Sequence, residues 1–424
     1  MMDVEILAVL IFLVTYLCII FFYERKSLVV WASVFVLLAL GVLTPRQALE
    51  SVNLNVILLY TGMMFVSGVF VYSRMPDYLA TLFASRTKNT VAAMLVLCAF
   101  TSFLSMFLDN VTVVLLMAPV ALSIARKCNI NLVPLFVGMA ISANLQGCAT
   151  LIGDPPRMLL AGFAGMNFND FFFVNGTPSI FFAVEVGALT SFVILYFLFR
   201  RYRGSMPELK REEYLSVVPS LFVVMLVLLM VVSSSIRHGI SYMNGLLCVF
   251  FGVISFLWYV SRARKDEIGV FVSKLDWQTG IFLIGVFMLV QSLSVSGIME
   301  DIARWILSVS GGSTFMVFNM IVWISVFISA FVDNIPFLVA MLPVTKLITE
   351  TLGVNPYLLY FGLLVGASVG GNVTPIGASA NIVAMGIVRK QGCKVNFMDF
   401  VKIGLPFTVV AVLTGTLFLW ILFA

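Results

Sequence analysis

The stretch Phe107-Leu-Asp-Asn-Val-Thr112 carries an aspartate in the middle of a long apolar segment, and Phe331-Val-Asp-Asn334 repeats it 224 positions later. The same offset, without a gap, pairs Met117 with Met341, Pro119 with Pro343, Gly138 with Gly362, Gly147 with Gly371, Thr150 with Thr374 and Gly153 with Gly377. Aspartates are costly at membrane depth and mark ion or substrate paths when they occur there. Two in register therefore indicate a twofold repeated membrane transporter with its site where the repeats meet.

The composition predicts a polytopic integral membrane protein, because 61% of the 424 residues are hydrophobic and only 11% are charged. Residues 5–22 are apolar, follow an acidic start and lack a small-residue cleavage site, so a first membrane span is expected there. The six cysteines are scattered and His238 is the only histidine, so no metal framework is expected. No nucleophile–base set and no phosphate-binding loop is present, which disfavours an enzyme or an ATP-driven pump.

Hydropathy predicts an all-α fold with about ten spans, and the fourth span of each half is interrupted by Gly and Pro. The spans are expected near residues 4–22, 28–44, 55–72, 132–164, 177–199, 214–235, 241–260, 278–295, 356–388 and 403–423. A polar linker, residues 200–213, separates the first repeat, residues 1–199, from the second, residues 214–424.

Residues 91–125 and 315–349 are apolar arms broken at Asp109 and Asp333, and we interpret them as re-entrant hairpins with polar tips at mid-membrane. Two full spans with a polar kink are the alternative. Five crossings per half would invert the second repeat relative to the first. Residues 74–89 and 298–311, just before the hairpins, are interfacial helices or polar loops.

The placement of basic residues supports the hairpins. With hairpins, all Lys and Arg residues except Arg46, Arg157, Arg237, Arg304 and Lys346 fall on one side of the membrane. Counting each hairpin as two spans would destroy this segregation. By the positive-inside rule the basic side is cytoplasmic, which predicts a multi-pass cell-membrane protein with both termini outside.

The two interrupted helices supply the candidate substrate site. Glycines and prolines at mid-span free backbone groups, and half-helix ends point partial charges inward. Such a pocket suits an anion, or a hard cation held by oxygens. The candidate lining residues are Ser142, Asn144, Gly147, Thr150, Gly153, Asp154, Gly371, Asn372, Thr374, Gly377, Ser379 and Asn381.

The hairpin tips supply the candidate coupling site. Asp109 and Asp333 are each followed by an asparagine, Asn110 and Asn334. A buried carboxylate must be paired, protonated or bound to a cation, so the tips are predicted to couple transport to H⁺ or Na⁺. The alternative is that each aspartate caps the arm that follows it.

Four further charged residues have no ionic counterpart in the other repeat. Arg157, one helical turn after Asp154, either pairs with that aspartate or neutralises an anionic substrate. Lys346 either extends to the outer surface or balances Asp333. Glu185, in the middle of a span, is either a proton carrier or a satisfied buried acid. Apart from a transported Na⁺, no metal or cofactor is expected.

With these residues in view, the chain resembles the arsenite permease and P-protein branch of the ion transporter superfamily over residues 50–420. The resemblance implies a dimeric scaffold, residues 1–73 and 214–295, and a transport domain, residues 90–199 and 314–424, that moves as an elevator. The chain departs from relatives at the tips, where the carboxylate family has Ser-Asn-Thr, and in Gln146 for Gly and Arg157 for Asn. The matching motifs are Phe107-Leu-Asp-Asn-Val-Thr112, Ala149-Thr-Leu-Ile-Gly-Asp-Pro-Pro156, Ser329-Ala-Phe-Val-Asp-Asn-Ile-Pro336 and Gly370-Gly-Asn-Val-Thr-Pro-Ile-Gly-Ala-Ser-Ala-Asn381.

These observations predict a secondary active transporter coupled to H⁺ or Na⁺, in the form of arsenite-type efflux or Na⁺/H⁺ antiport. One alternative is a Na⁺-coupled anion or carboxylate symporter, in which Arg157 and Lys346 hold the anion. Another is a passive anion channel, as likeness to the P protein suggests. The expected partners are membrane lipid, a small ion or solute and a second copy of the chain, with no nucleic acid.

Overall fold

A computed structural model of the chain describes residues 4–22, 25–202, 204–205, 213–235 and 242–424, and most of them are helical. His238 and most of the predicted linker, residues 200–213, lie outside the described residues. Eight of the described helices are long and apolar enough to cross a membrane, and six shorter apolar helices accompany them. Helix α10, for example, has an exposed apolar face formed by Leu189, Val193 and Phe197.

The described residues form twenty α-helices, ten in each repeat. Those of the first repeat are α1 Val4–Phe21, α2 Lys26–Ala39, α3 Pro45–Glu50, α4 Leu54–Tyr72, α5 Met75–Ser85, α6 Thr90–Ser105, α7 Asn110–Cys128, α8 Leu132–Gln146, α9 Pro155–Ala164 and α10 Ile180–Phe199. Those of the second are α11 Val218–Ser234, α12 Met243–Arg262, α13 Lys265–Lys274, α14 Trp277–Val295, α15 Ile298–Ser310, α16 Thr314–Ser329, α17 Asn334–Leu352, α18 Pro356–Gly370, α19 Ser379–Lys390 and α20 Phe397–Phe423.

Side-chain caps set the starts of the same four helices in both repeats. In each case the side-chain oxygen accepts a hydrogen bond from a backbone N–H in the first turn, which contributes about 1 kcal/mol. The caps are Asn53 for α4, Asn89 for α6, Asp109 for α7, Asn131 for α8, Asp276 for α14, Ser313 for α16, Asp333 for α17 and Asn355 for α18.

The two repeats also pack alike. Helix α4 lies against α12 as α14 lies against α2, and α6 lies against α8 as α16 lies against α18. Helices α10 and α20 pack against each other, and there the hydroxyls of Thr190 and Thr414 are 2.8 Å apart. These two residues are 224 positions apart, so the twofold relation runs between α10 and α20. With an odd number of crossings in each half, the repeats are inverted.

The predicted hairpins and broken helices are present. Helices α6 and α7 pack together and turn through residues 106–109, as α16 and α17 turn through residues 330–333. The second arm of each hairpin packs on the broken helix of its own repeat and contains a proline, Pro119 or Pro343. The helix breaks fall at residues 147–154, between α8 and α9, and at residues 371–378, between α18 and α19.

Several elements differ from the sequence-based expectation. Helices α3 and α13 were not predicted, because they are short and lie between spans. Two antiparallel two-residue strands, β1 Phe173–Val174 and β2 Thr177–Pro178, are an exception to the all-α prediction. They turn at Asn175 and Gly176, both with positive φ, so the span expected at residues 177–199 begins at Ile180. The segments before the hairpins are helices, α5 and α15.

Candidate functional site

The two helix breaks are joined by buried side-chain amides. Asn144 on α8 donates hydrogen bonds to the Oδ1 atoms of Asn372 and Asn381, both at 2.9 Å. Asn372 in turn donates to the carbonyl oxygen of Ile141 at 3.0 Å. All three asparagines are buried, so each bond forms away from competing water. The breaks of the two repeats therefore form one connected structure at the centre of the protein.

Each hairpin tip is fastened to the break of its own repeat by a threonine. The Thr150 hydroxyl donates to the carbonyl oxygen of Met106 at 2.5 Å. The Thr374 hydroxyl donates to the carbonyl oxygen of Ala330, which stands 224 positions after Met106. The bond satisfies a carbonyl that the turn leaves free. The repeat thus extends from the sequence motifs to individual hydrogen bonds.

Glycine is required in both breaks because the backbone passes too close to its neighbours for a side chain. A Cβ added to Gly153 would lie 2.4 Å from the Ser105 carbonyl oxygen and 1.7 Å from Arg157 Nη2. One added to Gly377 would lie 2.6 Å from the Gly371 carbonyl oxygen and 2.8 Å from that of Ser329. In both repeats the glycine lets the break approach the end of the first hairpin arm.

Arg157, on α9 after the first break, bonds to the ends of α6 and α8. Its side chain is fully buried, and Nη2 and Nη1 donate to the carbonyl oxygens of Ser105 at 3.2 Å and Gln146 at 3.4 Å. Asp154 accepts a hydrogen bond from Asn110 Nδ2 at 3.0 Å, and no ion pair within 4.0 Å joins it to Arg157. The expected contact pair of Asp154 and Arg157 is therefore replaced by bonds to backbone and amide.

A cavity of about 670 Å³ lies between the breaks, the hairpin tips and the helices α2 and α14. Eight of the predicted site residues line it, together with two lysines and a further aspartate that the sequence analysis did not select. The polar lining includes Lys26, Asp109, Asn110, Asn144, Asp154, Lys274, Asp276, Asp333, Asn334 and Ser379, and Gly377 contributes backbone.

The remaining predicted substrate residues lie outside the lining of this cavity, although Gly153 lines a neighbouring cavity. Most of their polar atoms bond to protein; Asn381 Nδ2, for example, donates to the carbonyl oxygens of Gly371 and Thr374. The Ser142 hydroxyl is buried and has no hydrogen-bond partner. The residues outside the lining of this cavity are Ser142, Gly147, Thr150, Gly153, Gly371, Asn372, Thr374 and Asn381.

A second cavity of about 660 Å³ adjoins the first and shares Asp109, Lys274 and Asp276 with it. It runs between α4 and α13, where Asp266 and Glu267 also line it. This second cavity therefore connects Asp109 with α13.

Asp109 and Asp333 both cap the hairpin arms that follow them, which confirms the alternative proposed from the sequence. Asp109 Oδ1 accepts from the backbone N–H of Thr112 at 2.9 Å, and Asp333 Oδ1 accepts from that of Ile335 at 3.1 Å. Capping uses one oxygen of each carboxylate. The two differ in the rest of their surroundings, because Asp333 Oδ2 lies 2.7 Å from Lys26 Nζ whereas no described ion pair includes Asp109.

Lys26 is the main residue that sequence reasoning missed. It stands 307 positions from Asp333, and the repeat offset places Phe250 opposite it, so no pattern points to the pair. Lys346, expected either at the surface or beside Asp333, has an exposed side chain 3.8 Å from Glu350. Glu185 accepts a hydrogen bond from Gln146 and lines neither cavity. Among the described residues, no cluster of three acidic, His or Cys side chains is arranged to hold a metal ion.

Two inverted helical repeats whose hairpin tips and helix breaks enclose a polar cavity define a membrane transporter. The chain belongs to the citrate transporter family, whose model matches residues 8–293 and 251–424. The resemblance to the ion transporter superfamily is thereby confirmed.

Two relatives show how far the sequence similarity extends. An uncharacterized transporter of Mycobacterium tuberculosis is 30% identical over 430 residues, with 98% of both chains covered. The mouse P protein is 26% identical over 471 residues, which cover 91% of this chain and 56% of the P protein. The similarity to the first of these extends from end to end, so it includes both repeats.

Two solved structures share the fold. The YdaH transporter of Alcanivorax borkumensis, described as having an unusual topology, superimposes with a TM-score of 0.58 at 12% identity, covering 91% of this chain and 87% of its own. MtrF of Neisseria gonorrhoeae, described as illuminating a class of antimetabolite efflux pumps, gives a TM-score of 0.52 at 14% identity, covering 91% and 84%. At this identity the likeness concerns the fold alone.

Proposed function

We propose that the chain is a secondary active transporter in which Asp109 binds the coupling cation, H⁺ or Na⁺. The observation that carries the proposal is the set of four carboxylates that line one cavity against two lysines, Lys26 and Lys274. Like charges enclosed in a low-dielectric region repel each other strongly unless a cation or protons compensate them. A cavity with this excess of carboxylates therefore favours a bound cation.

The first repeat holds the more favourable cation position. Asp109 has no described ion pair, and it lines the cavity together with Asp154, which accepts a hydrogen bond from Asn110 Nδ2. Carboxylate and amide oxygens are ligands suited to hard cations such as Na⁺, and a carboxylate can equally take a proton. Asp109 and Asp154, together with Asn110, which bonds to Asp154, are our candidate coupling site.

Alternating access by an elevator movement fits the way the helices pack. The hairpins and broken helices pack mainly on one another, for example α6 on α8, α16 on α18 and α19 on α7. The pairs α4–α12 and α14–α2, which meet through α4 and α14, are our proposed scaffold. We place the protein in the cell membrane as a homodimer joined through this scaffold, with both termini outside.

We propose that the transported solute is a small inorganic species, as in arsenite-type efflux or Na⁺/H⁺ antiport. A carboxylate is the second candidate, favoured by the family's description as citrate transporters and by the start of α19. There Ala380 lines the cavity in the first turn of the helix, where the partial positive charge of the helix N-terminus favours an anion. Helix α9 begins with Pro155 and Pro156, which have no N–H to donate.

Proteoliposomes with a trapped pH dye distinguish these forms. A jump in external Na⁺ is applied with no added solute, with arsenite and with citrate. An internal pH change driven by Na⁺ alone would establish Na⁺/H⁺ exchange, and one that requires arsenite or citrate would identify the solute class. Solute flux that is independent of both Na⁺ and pH gradients would contradict cation coupling and favour a passive pathway.

A further inference from the structure

The two hairpin-tip carboxylates differ in their partners, because Asp333 faces a lysine whereas no described ion pair includes Asp109. Asp109 and Asp333 are equivalent by the repeat, and each uses Oδ1 to cap its hairpin arm. At Asp333, however, the second oxygen is bound by the ammonium group of Lys26 at 2.7 Å. The chain thus contains two copies of one capping carboxylate, and one of them, Asp333, is paired with an ammonium group of the chain itself.

Lys26 is held in place by more than this contact. Its side chain is 13% exposed and that of Asp333 is 5% exposed, so the pair is shielded from water. The ammonium group also lies 4.6 Å from the centre of the Phe282 ring on α14, a distance typical of cation–π attraction. Lys26 therefore bridges the proposed scaffold, α2 and α14, and the tip of the second hairpin.

Stability alone does not account for a lysine at this position. Lys26 is the first residue of α2, where the partial positive charge of the helix N-terminus disfavours a basic side chain. A buried ion pair contributes about as much as a well-packed apolar pair once desolvation is included. The distinctive property that remains is a single positive charge delivered to the carboxylate oxygen that capping leaves free.

We propose that Lys26 is the resident cation of the second coupling site, so that each protomer carries only one exchangeable coupling cation, at Asp109. The proposal rests on the proposed function, in which Asp109 binds that cation. It sets the stoichiometry of coupling: Lys26 fills at Asp333 the place that H⁺ or Na⁺ takes at Asp109. Removing the ammonium group should convert the second site into one that takes an external cation.

The test counts bound ²²Na⁺ at saturation and alkaline pH on the purified, nanodisc-embedded protein. We expect about one Na⁺ per protomer in the wild type, about two in Lys26→Gln, and about one in Lys26→Arg, which keeps the charge. Adding Asp333→Asn to Lys26→Gln should remove the gained ion. Size-exclusion profiles and melting curves identify variants that do not fold.

The difference between Lys26→Gln and the wild type tests the inference, and equal counts in the two would overturn it. The wild-type count and its loss in Asp109→Asn test the proposed function separately. A wild type that binds none beside a Lys26→Gln variant that binds one would support the role of Lys26 and contradict Na⁺ at Asp109. If Lys26→Gln does not fold, Asp109→Asn decides: complete loss of bound Na⁺ supports a single exchangeable site, and retention of about half overturns it.

Discussion

The side-chain amide of Asn144 donates to Asn381 Oδ1 at 2.9 Å and so joins the break of the first repeat to the helix that follows the second break. The same amide also holds Asn372. Because these bonds cross the repeat interface inside the protein, the geometry of the cavity depends on them.

Replacing Asn144 with leucine should therefore destabilise the protein. Leucine has a similar size but no donor, so the Oδ1 atoms of Asn372 and Asn381 lose this partner in a buried place, at roughly 1–3 kcal/mol each. Thermal unfolding in nanodiscs should show a clearly lower melting temperature. Asn319→Leu on α16 is the control, since Asn319 bonds only within its own helix, to Phe315. Equal melting temperatures for Asn144→Leu and the control would refute the structural role.

A pair of glycine substitutions tests the close approach of the second break. Gly377→Ala would bring a methyl group within 2.6–2.8 Å of three carbonyl oxygens, so we expect transport to be lost and folding to be impaired. Gly386→Ala on α19 meets nothing within 4 Å and should be tolerated or slightly stabilising, because alanine favours helix. Solute flux and melting temperature of the two variants give the comparison. Active Gly377→Ala protein would show that the break is looser than the structure indicates.

Replacing Glu185 with glutamine tests which of its two possible roles is correct, a proton carrier or a hydrogen-bonded buried acid. It accepts a hydrogen bond from Gln146 and lies outside both cavities, so we expect the second role. Glu185→Gln cannot carry a proton but retains a side-chain oxygen for that bond. The dependence of transport on Na⁺ and on pH should match that of the wild type. Loss of the pH response in this variant would show that the proton path includes Glu185 on α10.

The register of the repeat allowed the sequence to predict most of the architecture. An aspartate at the same position in two apolar segments identified both hairpin tips, and the Gly and Pro clusters located both helix breaks. Periodicity does not give the direction of side chains on an unwound segment. For that reason Thr150, Thr374 and Asn381 were expected to line the site, whereas their side chains bond to the backbone behind it.

Contacts between distant, non-equivalent residues could not be predicted from the sequence. The Lys26–Asp333 pair joins α2 to α17 and has no counterpart in the other repeat, so neither spacing nor symmetry indicates it. Arg157 was expected to meet a charge because its neighbour is Asp154. In the structure the guanidinium group bonds instead to the carbonyl oxygens of Ser105, at the end of α6, and Gln146, at the end of α8.

The most direct test of Asp109 as the coupling residue measures the Na⁺-driven pH change in proteoliposomes that contain wild-type, Asp109→Asn or Asp301→Asn protein. Asp301 is an exposed partner of Arg304 on α15 and serves as the matched control. If Asp109 binds the coupling cation, the wild type and Asp301→Asn should respond to a Na⁺ jump, with added solute if required, and Asp109→Asn should not respond although it is folded. A pH response of Asp109→Asn equal to that of the wild type would contradict binding of the coupling cation at Asp109.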